Sequence, residues 1–121
     1  MKSFIRADRQ ERWLYLLESA KGRKKLVTSL DHSFDFEEKY AKLIPKQWTS
    51  EDVKSHLASR GAGPKCYSMS SNRDWDDKTL ETNNAIKLVF AGMFGTYLIF
   101  DPAHLAYFES EEQHSRYILS R

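Results

Sequence analysis

The chain has 121 residues, of which 40% are hydrophobic and 13% aromatic, and its net charge is only +2. That apolar supply argues against a disordered segment, and no apolar run approaches the ~20 residues needed to span a membrane as a helix. The near-neutral total hides an asymmetry. The first thirty residues carry eight Lys/Arg against three Asp/Glu, a balance of +5, and the remaining 91 carry eleven against fourteen, a balance of −3. The sequence therefore predicts a basic N-terminal helical arm on a mildly acidic body, a distribution suited to attracting polyanions or acidic partners.

The segment from about Phe4 to Ala20 reads as a helix, with Trp13, Leu16, Leu17 and Ala20 on one side at the 3.6-residue period. Ser3 and Asp8 are candidate caps, the latter at capping-box spacing from Glu11. Gly22 is expected to break this helix, and a shorter one with Leu26, Val27 and Leu30 inward follows. Phe36, Tyr40 and Leu43 are spaced four and three apart, predicting a third helix that Pro45 stops. Thr49 then suits an N-cap, with Glu51 and Asp52 at the positive end of the dipole, Val53, His56, Leu57 and Arg60 on one face, and Gly61 as a left-handed C-terminal cap.

Beyond Gly61 the pattern changes. Cys66 to Met69 reads as a short strand and Ser71 to Lys78 as a polar loop. Leu80, Ile86, Val89, Phe90 and Met93 suggest a helix ending near Gly92 or Gly95. Thr96 to Phe100 and Leu105 to Phe108 are aromatic-rich runs around the turn chemistry of Asp101-Pro102-Ala103-His104, which predicts a hairpin. Two-residue alternation should send Tyr97 and Ile99 to one face and Leu98 and Phe100 to the other. Ser110 to Gln113 fits a cap for a short C-terminal helix carrying Tyr117 and Ile118. The expected fold is α+β: a single domain over 1–121, with a helical portion at 1–62 and a sheet-containing portion at 63–121. The sheet is expected to have three strands in a mixed β-α-β-β arrangement with helices mainly on one side.

Three short stretches, Cys66-Tyr67-Ser68-Met69-Ser70, Gly92-Met93-Phe94-Gly95-Thr96 and Leu105-Ala106-Tyr107-Phe108-Glu109, are similar to those of a group of small bacterial proteins with no assigned activity. The resemblance covers about the last sixty residues. It implies a bacterial or phage origin and no catalytic residues.

The candidate binding surface is the basic arm: Arg6, Arg9 and Arg12 with Trp13, then Arg23, Lys24 and Lys25 beside Lys21. At 100° per residue Arg6 and Arg9 fall on the side of Trp13 and Leu16. They either line a docking cleft, where a guanidinium can stack on an aromatic ring or hold a phosphate, or snorkel past the core edge to pair with body carboxylates. The lysine-rich group could contact a phosphate backbone, but such runs at helix junctions are usually solvated, so Arg23, Lys24 and Lys25 are expected in solvent.

Other constellations carry less. Asn72, Asp74, Asp76 and Asp77 alternate like a calcium loop, but the sixth position lacks glycine and the twelfth is Asn83 instead of Glu. His32, His56, His104 and His114 have no metal-ligand spacing, and the lone Cys66 reads as a small buried hydrophobe. No catalytic set, metal or cofactor is expected. The leading expectation is a cytoplasmic binding or regulatory module whose basic arm contacts an acidic protein or nucleic acid. Its rivals are a small enzyme acting on a phosphorylated substrate through Asp/Glu/His residues, and a homodimer formed through an aromatic surface.

Overall fold

A computed structural model describes residues 4–31, 35–92, 94–100, 104–110 and 116–121. The candidate cap Ser3, Met93, the turn at 101–103, the proposed cap region at 111–113, His32 and His114 lie outside these residues. The first helix, α1 (Ala7–Leu17), buries Trp13 and Leu16, one turn apart. It ends before the predicted break. Ser19 caps the next helix, α2 (Ala20–Ser29), by accepting from the Gly22 amide at 3.0 Å. Gly22 is therefore inside α2. A Cβ there would sit 2.2 Å from the Leu16 carbonyl oxygen, so the missing side chain lets the two helices meet at a tight corner.

The third helix, α3 (Ser50–Ser59), begins as its sequence predicts. Thr49 and Asp52 form a reciprocal capping box, and Gly61 follows the helix at φ 99°. The last helix, α4 (Thr82–Val89), is shorter than its apolar pattern suggests, because Leu80 belongs to a strand.

Six strands form one sheet: β1 (Ala41–Leu43), β2 (Lys65–Ser70), β3 (Lys78–Glu81), β4 (Thr96–Phe100), β5 (Leu105–Glu109) and β6 (Arg116–Ser120), in the order β1-β6-β5-β4-β2-β3. Every neighbouring pair is antiparallel. The α+β class stands, but the three-stranded mixed sheet and the C-terminal helix do not. Three strands account for the correction. In β1 the helical spacing of Phe36, Tyr40 and Leu43 is coincidental: Phe36 bridges to Ile5, Tyr40 closes a 3-10 turn, and Leu43 lies on an edge strand. β3 is an exposed edge whose first residue, Lys78, reads as loop and whose Leu80 reads as helix. β6 buries Ile118 and Leu119 on opposite faces, so its pairing with β5 overrides the capping signal before it. The expected parallel β2 and β4 run antiparallel because β3 reverses the chain. The strands joined through α4 are β3 and β4, with β2 between them.

The sheet is covered on both sides, not mainly on one. Tyr97, Ile99, Ala106 and Phe108 pack under α1 and α2, against Trp13, Leu16, Leu26 and Leu30. Leu98, Phe100, Leu105 and Tyr107 pack under α3 and α4, against Val53, Leu57, Ile86 and Val89. The hairpin alternation thus follows the two-residue period, with both faces buried. Each large apolar side chain removed from water in this way contributes roughly 1.5–3 kcal/mol before entropy is counted. Among the described residues no helix is long and apolar enough to cross a membrane.

Candidate functional site

The basic arm divides when its side chains are followed to their partners. Arg6 and Arg9, on the inward side of α1 with Trp13, converge on Asp35, a carboxylate only 7% exposed. Arg9 Nε donates to Asp35 Oδ1 at 3.2 Å, Trp13 Nε1 donates to Oδ2 at 2.8 Å, and Arg6 Nη2 lies 3.8 Å from Oδ1. The backbone joins in. The Arg6 amide donates to the Asp35 carbonyl and the Glu37 amide to the Phe4 carbonyl, both at 2.7 Å. Of the two alternatives that the sequence left open, snorkelling onto a body carboxylate is the one that forms. A buried carboxylate needs such partners, since an unpaired one is costly to desolvate.

Arg23 is also engaged. Its Nε and Nη2 donate to Asp76 Oδ2 and Oδ1 at 3.1 and 2.8 Å, and its guanidinium lies 5.8 Å from the Tyr67 ring centroid. This bidentate fork raises the Arg23 pKa above its already high ordinary value, chiefly through the hydrogen bond to Asp76. Asp76 Oδ1 accepts from the Ser70 amide as well, and Asp77 accepts from the Tyr67 hydroxyl at 2.7 Å. Two carboxylates of the calcium-like loop therefore fasten α2 and β2 to the β2–β3 connection. Among the described residues no group of His, Cys, Asp and Glu is arranged to hold a metal.

The remaining cations face outward. Arg12, Lys21, Lys24 and Lys25 are exposed. Lys21 and Lys25, one turn apart on α2, border a shallow cleft of about 490 Å³ at the α1–α2 corner, with Tyr15 and Ser19 from the other side. Tyr15 is 71% exposed, and Leu14 and Leu17 of the same helix are exposed too. The corner therefore offers two ammonium groups, an accessible aromatic ring and nearby aliphatic surface. Glu18 lines the same cleft. Trp13, grouped with the basic surface by the sequence, is buried in the core.

Sequence reasoning missed two polar hubs. Glu109, 2% exposed, accepts on Oε1 from the Ala91 amide at 2.9 Å, the Tyr107 hydroxyl at 2.7 Å and Arg116 Nε at 3.2 Å. Arg116 also lies over the Phe90 ring. Burial, then the neighbouring Glu109 carboxylate, pushes the Tyr107 phenol well above its ordinary range. Asp31 accepts from the Ser71 hydroxyl at 2.6 Å and the Gly95 amide at 2.5 Å, and its carbonyl accepts from Ser110. The only local signal for Glu109 was an acidic residue in phase with inward-facing Leu105 and Tyr107; Asp31 gave none. Cys66 is buried, and that burial pushes its thiol up to about 11, the reverse of an activated nucleophile.

Comparison with protein-family models, curated proteins and solved structures finds no match to this chain. Functional inference therefore rests on the chemistry displayed by the α1–α2 corner.

Proposed function

We propose that the protein is a binding module that holds an acidic segment of a partner protein against the α1–α2 corner. The observation that carries this reading is that the exposed Lys21 and Lys25 line one cleft together with the exposed Tyr15. Ammonium groups attract carboxylates over a Debye length, while the ring and the neighbouring leucines give the partner apolar surface to cover. One feature favours protein over nucleic acid. The arginines of the arm best placed for bidentate phosphate contacts, Arg9 and Arg23, are committed to Asp35 and Asp76. A cytoplasmic setting is part of this proposal, since the one thiol is free and buried.

The test is a titration of the wild-type chain and a Lys21→Glu/Lys25→Glu variant with polyglutamate and with generic duplex DNA, each at low and moderate salt. The proposal expects polyglutamate to bind and the double variant to lose that binding, mainly through slower association. Tight DNA binding with a steep salt slope and no polyglutamate binding would assign the corner to nucleic acid instead.

A further inference from the structure

A second surface lies at the sheet edge formed by β1. The Ile44 amide donates to the Arg116 carbonyl at 2.8 Å, and the register places Lys42 opposite Ile118. Backbone groups alternate along an antiparallel ladder, so Lys42 and Ile44 bond inward to β6 while Ala41 and Leu43 point their amides and carbonyls away from it. The Ala41 amide is taken by the Glu38 carbonyl. The Leu43 amide and carbonyl and the Ala41 carbonyl then form an outward row, and no described strand pairs with β1 on that side.

The side chains around this row are mainly cationic, with Glu37 and Glu38 just before it. Residues 39–48 contain Lys39, Lys42 and Lys46 and no acidic residue. Lys39, Lys42 and Lys46 are all exposed. The shortness of β1, Lys42 and Pro45 blunt this edge toward most chains, while Leu43, 58% exposed, leaves apolar surface on it. Beside the edge, Trp48 packs on His56 with ring centroids 5.5 Å apart, in a narrow groove that also includes Pro45 and Ile118.

We propose that β1 accepts an extended acidic segment of a partner protein as a seventh strand, with an acidic residue beside Lys42 and an apolar one beside Leu43. The backbone row supplies the hydrogen bonds and the side-chain alternation supplies the selectivity, as in other strand-addition complexes. The positive field is felt inside the groove: His56 is held below its ordinary pKa first by burial and then by Arg60 and Lys42. A second copy of this chain fits less well. The self-pairing that opposes Ala41 to Leu43 across a two-fold axis sets Lys42 against Lys42, where like charges are destabilising, and the one that opposes Leu43 to itself leaves the Ala41 carbonyl facing Pro45, which has no amide to donate. This surface is separate from the α1–α2 corner and does not depend on it.

The probe is a blocked peptide of alternating Glu and Val, with a Lys-Val peptide as control, read by amide exchange at Leu43 in the intact chain. The Glu-Val peptide is expected to bind at low salt and to slow Leu43 exchange by about tenfold or more at saturation. Lys42→Glu, an exposed change that spares the fold, should weaken binding about fivefold by turning one attractive cross-strand pair into a repulsive one. Leu43→Pro removes the outward amide and should abolish binding, with circular dichroism confirming that the sheet is retained. Lys21→Glu/Lys25→Glu should leave the peptide's protection of Leu43 unchanged. Absence of binding, binding without a change at Leu43, or equal binding of the Lys-Val peptide would overturn the proposal. Leu43 protection without peptide, accompanied by a doubling of mass in sedimentation, would assign the edge to a second copy and overturn it as well.

Discussion

The N-terminal part of α1 and the α1–α2 corner start from the same raw material, cations next to an aromatic residue, and end in opposite roles. Arg6 and Arg9 turn inward beside Trp13 and are used up on Asp35, whereas Lys21 and Lys25 stand in solvent beside Tyr15. Residue chemistry explains part of the difference. A guanidinium is planar, weakly hydrated and able to hold a carboxylate while its stem packs on apolar surface, and an ammonium keeps its hydration shell. Helix phase explains the rest. Arg9 lies on the side of α1 that carries Trp13 and Leu16, and Arg23 lies beside Leu26 and Val27 on the inward side of α2. Sequence charge therefore overstates the charge that a partner can reach.

The largest effect that would break this comparison is at Asp35. Asp35→Ala leaves the buried Trp13 Nε1 without its acceptor and Arg9 without its counter-charge, while Arg6 keeps Asp8 at 3.6 Å. It should cost about 2–4 kcal/mol, less than a fully buried pair because the arginines reach solvent. Asp35→Asn keeps an acceptor for Trp13 and should cost about half as much. Urea denaturation of both variants measures the difference, and equal losses would mean that the charge carries the whole contribution and the neutral acceptor none. Next comes Arg23→Ala, which removes a two-point bond to Asp76 and should cost about 1.5–3 kcal/mol, whereas Lys24→Ala beside it should stay within about 0.5 kcal/mol.

The two faces of the sheet can also be compared by pH. Tyr97 on the α1/α2 face and Tyr107 on the α3/α4 face are both raised above the ordinary phenol value of 10, first by burial and then by Asp35 and Glu109 respectively. A raised folded-state pKa favours the protonated phenol. Its contribution is intact below pH 10 and is lost as pH rises beyond it, by about 1.4 kcal/mol per pH unit for each tyrosine. Denaturation midpoints at pH 9 and pH 11 should show this decline, and Tyr107→Phe should remove about half of it. An unchanged slope in that variant would show that Tyr107 is not held protonated.

Local signals in the sequence were reliable where one short segment decided the outcome. The Thr49 cap, the glycine after α3 and the alternation of Tyr97 to Phe100 needed no distant partner to be read. Features decided by distant pairing were not legible. The two edge strands β1 and β3 are short and largely exposed, and β6 is a strand because β5 lies beside it. At the candidate site, the wheel correctly put Arg6 and Arg9 on the Trp13 side, but nothing adjacent in sequence named Asp35, 26 residues from Arg9, or Asp76, 53 residues from Arg23. Arg23 was expected in solvent for that reason.

The division of the arm is tested most directly by two variants that each remove two positive charges, Arg9→Gln/Arg23→Gln and Lys21→Gln/Lys25→Gln. Each is compared with the wild type for urea stability and for affinity to polyglutamate under conditions where all three are folded. The arginine variant should lose about 2–4 kcal/mol of stability with its polyglutamate affinity nearly unchanged. The lysine variant should keep its stability within about 0.5 kcal/mol and lose most of its affinity. Equal loss of affinity in both variants, or a larger stability loss in the lysine variant, would contradict the account.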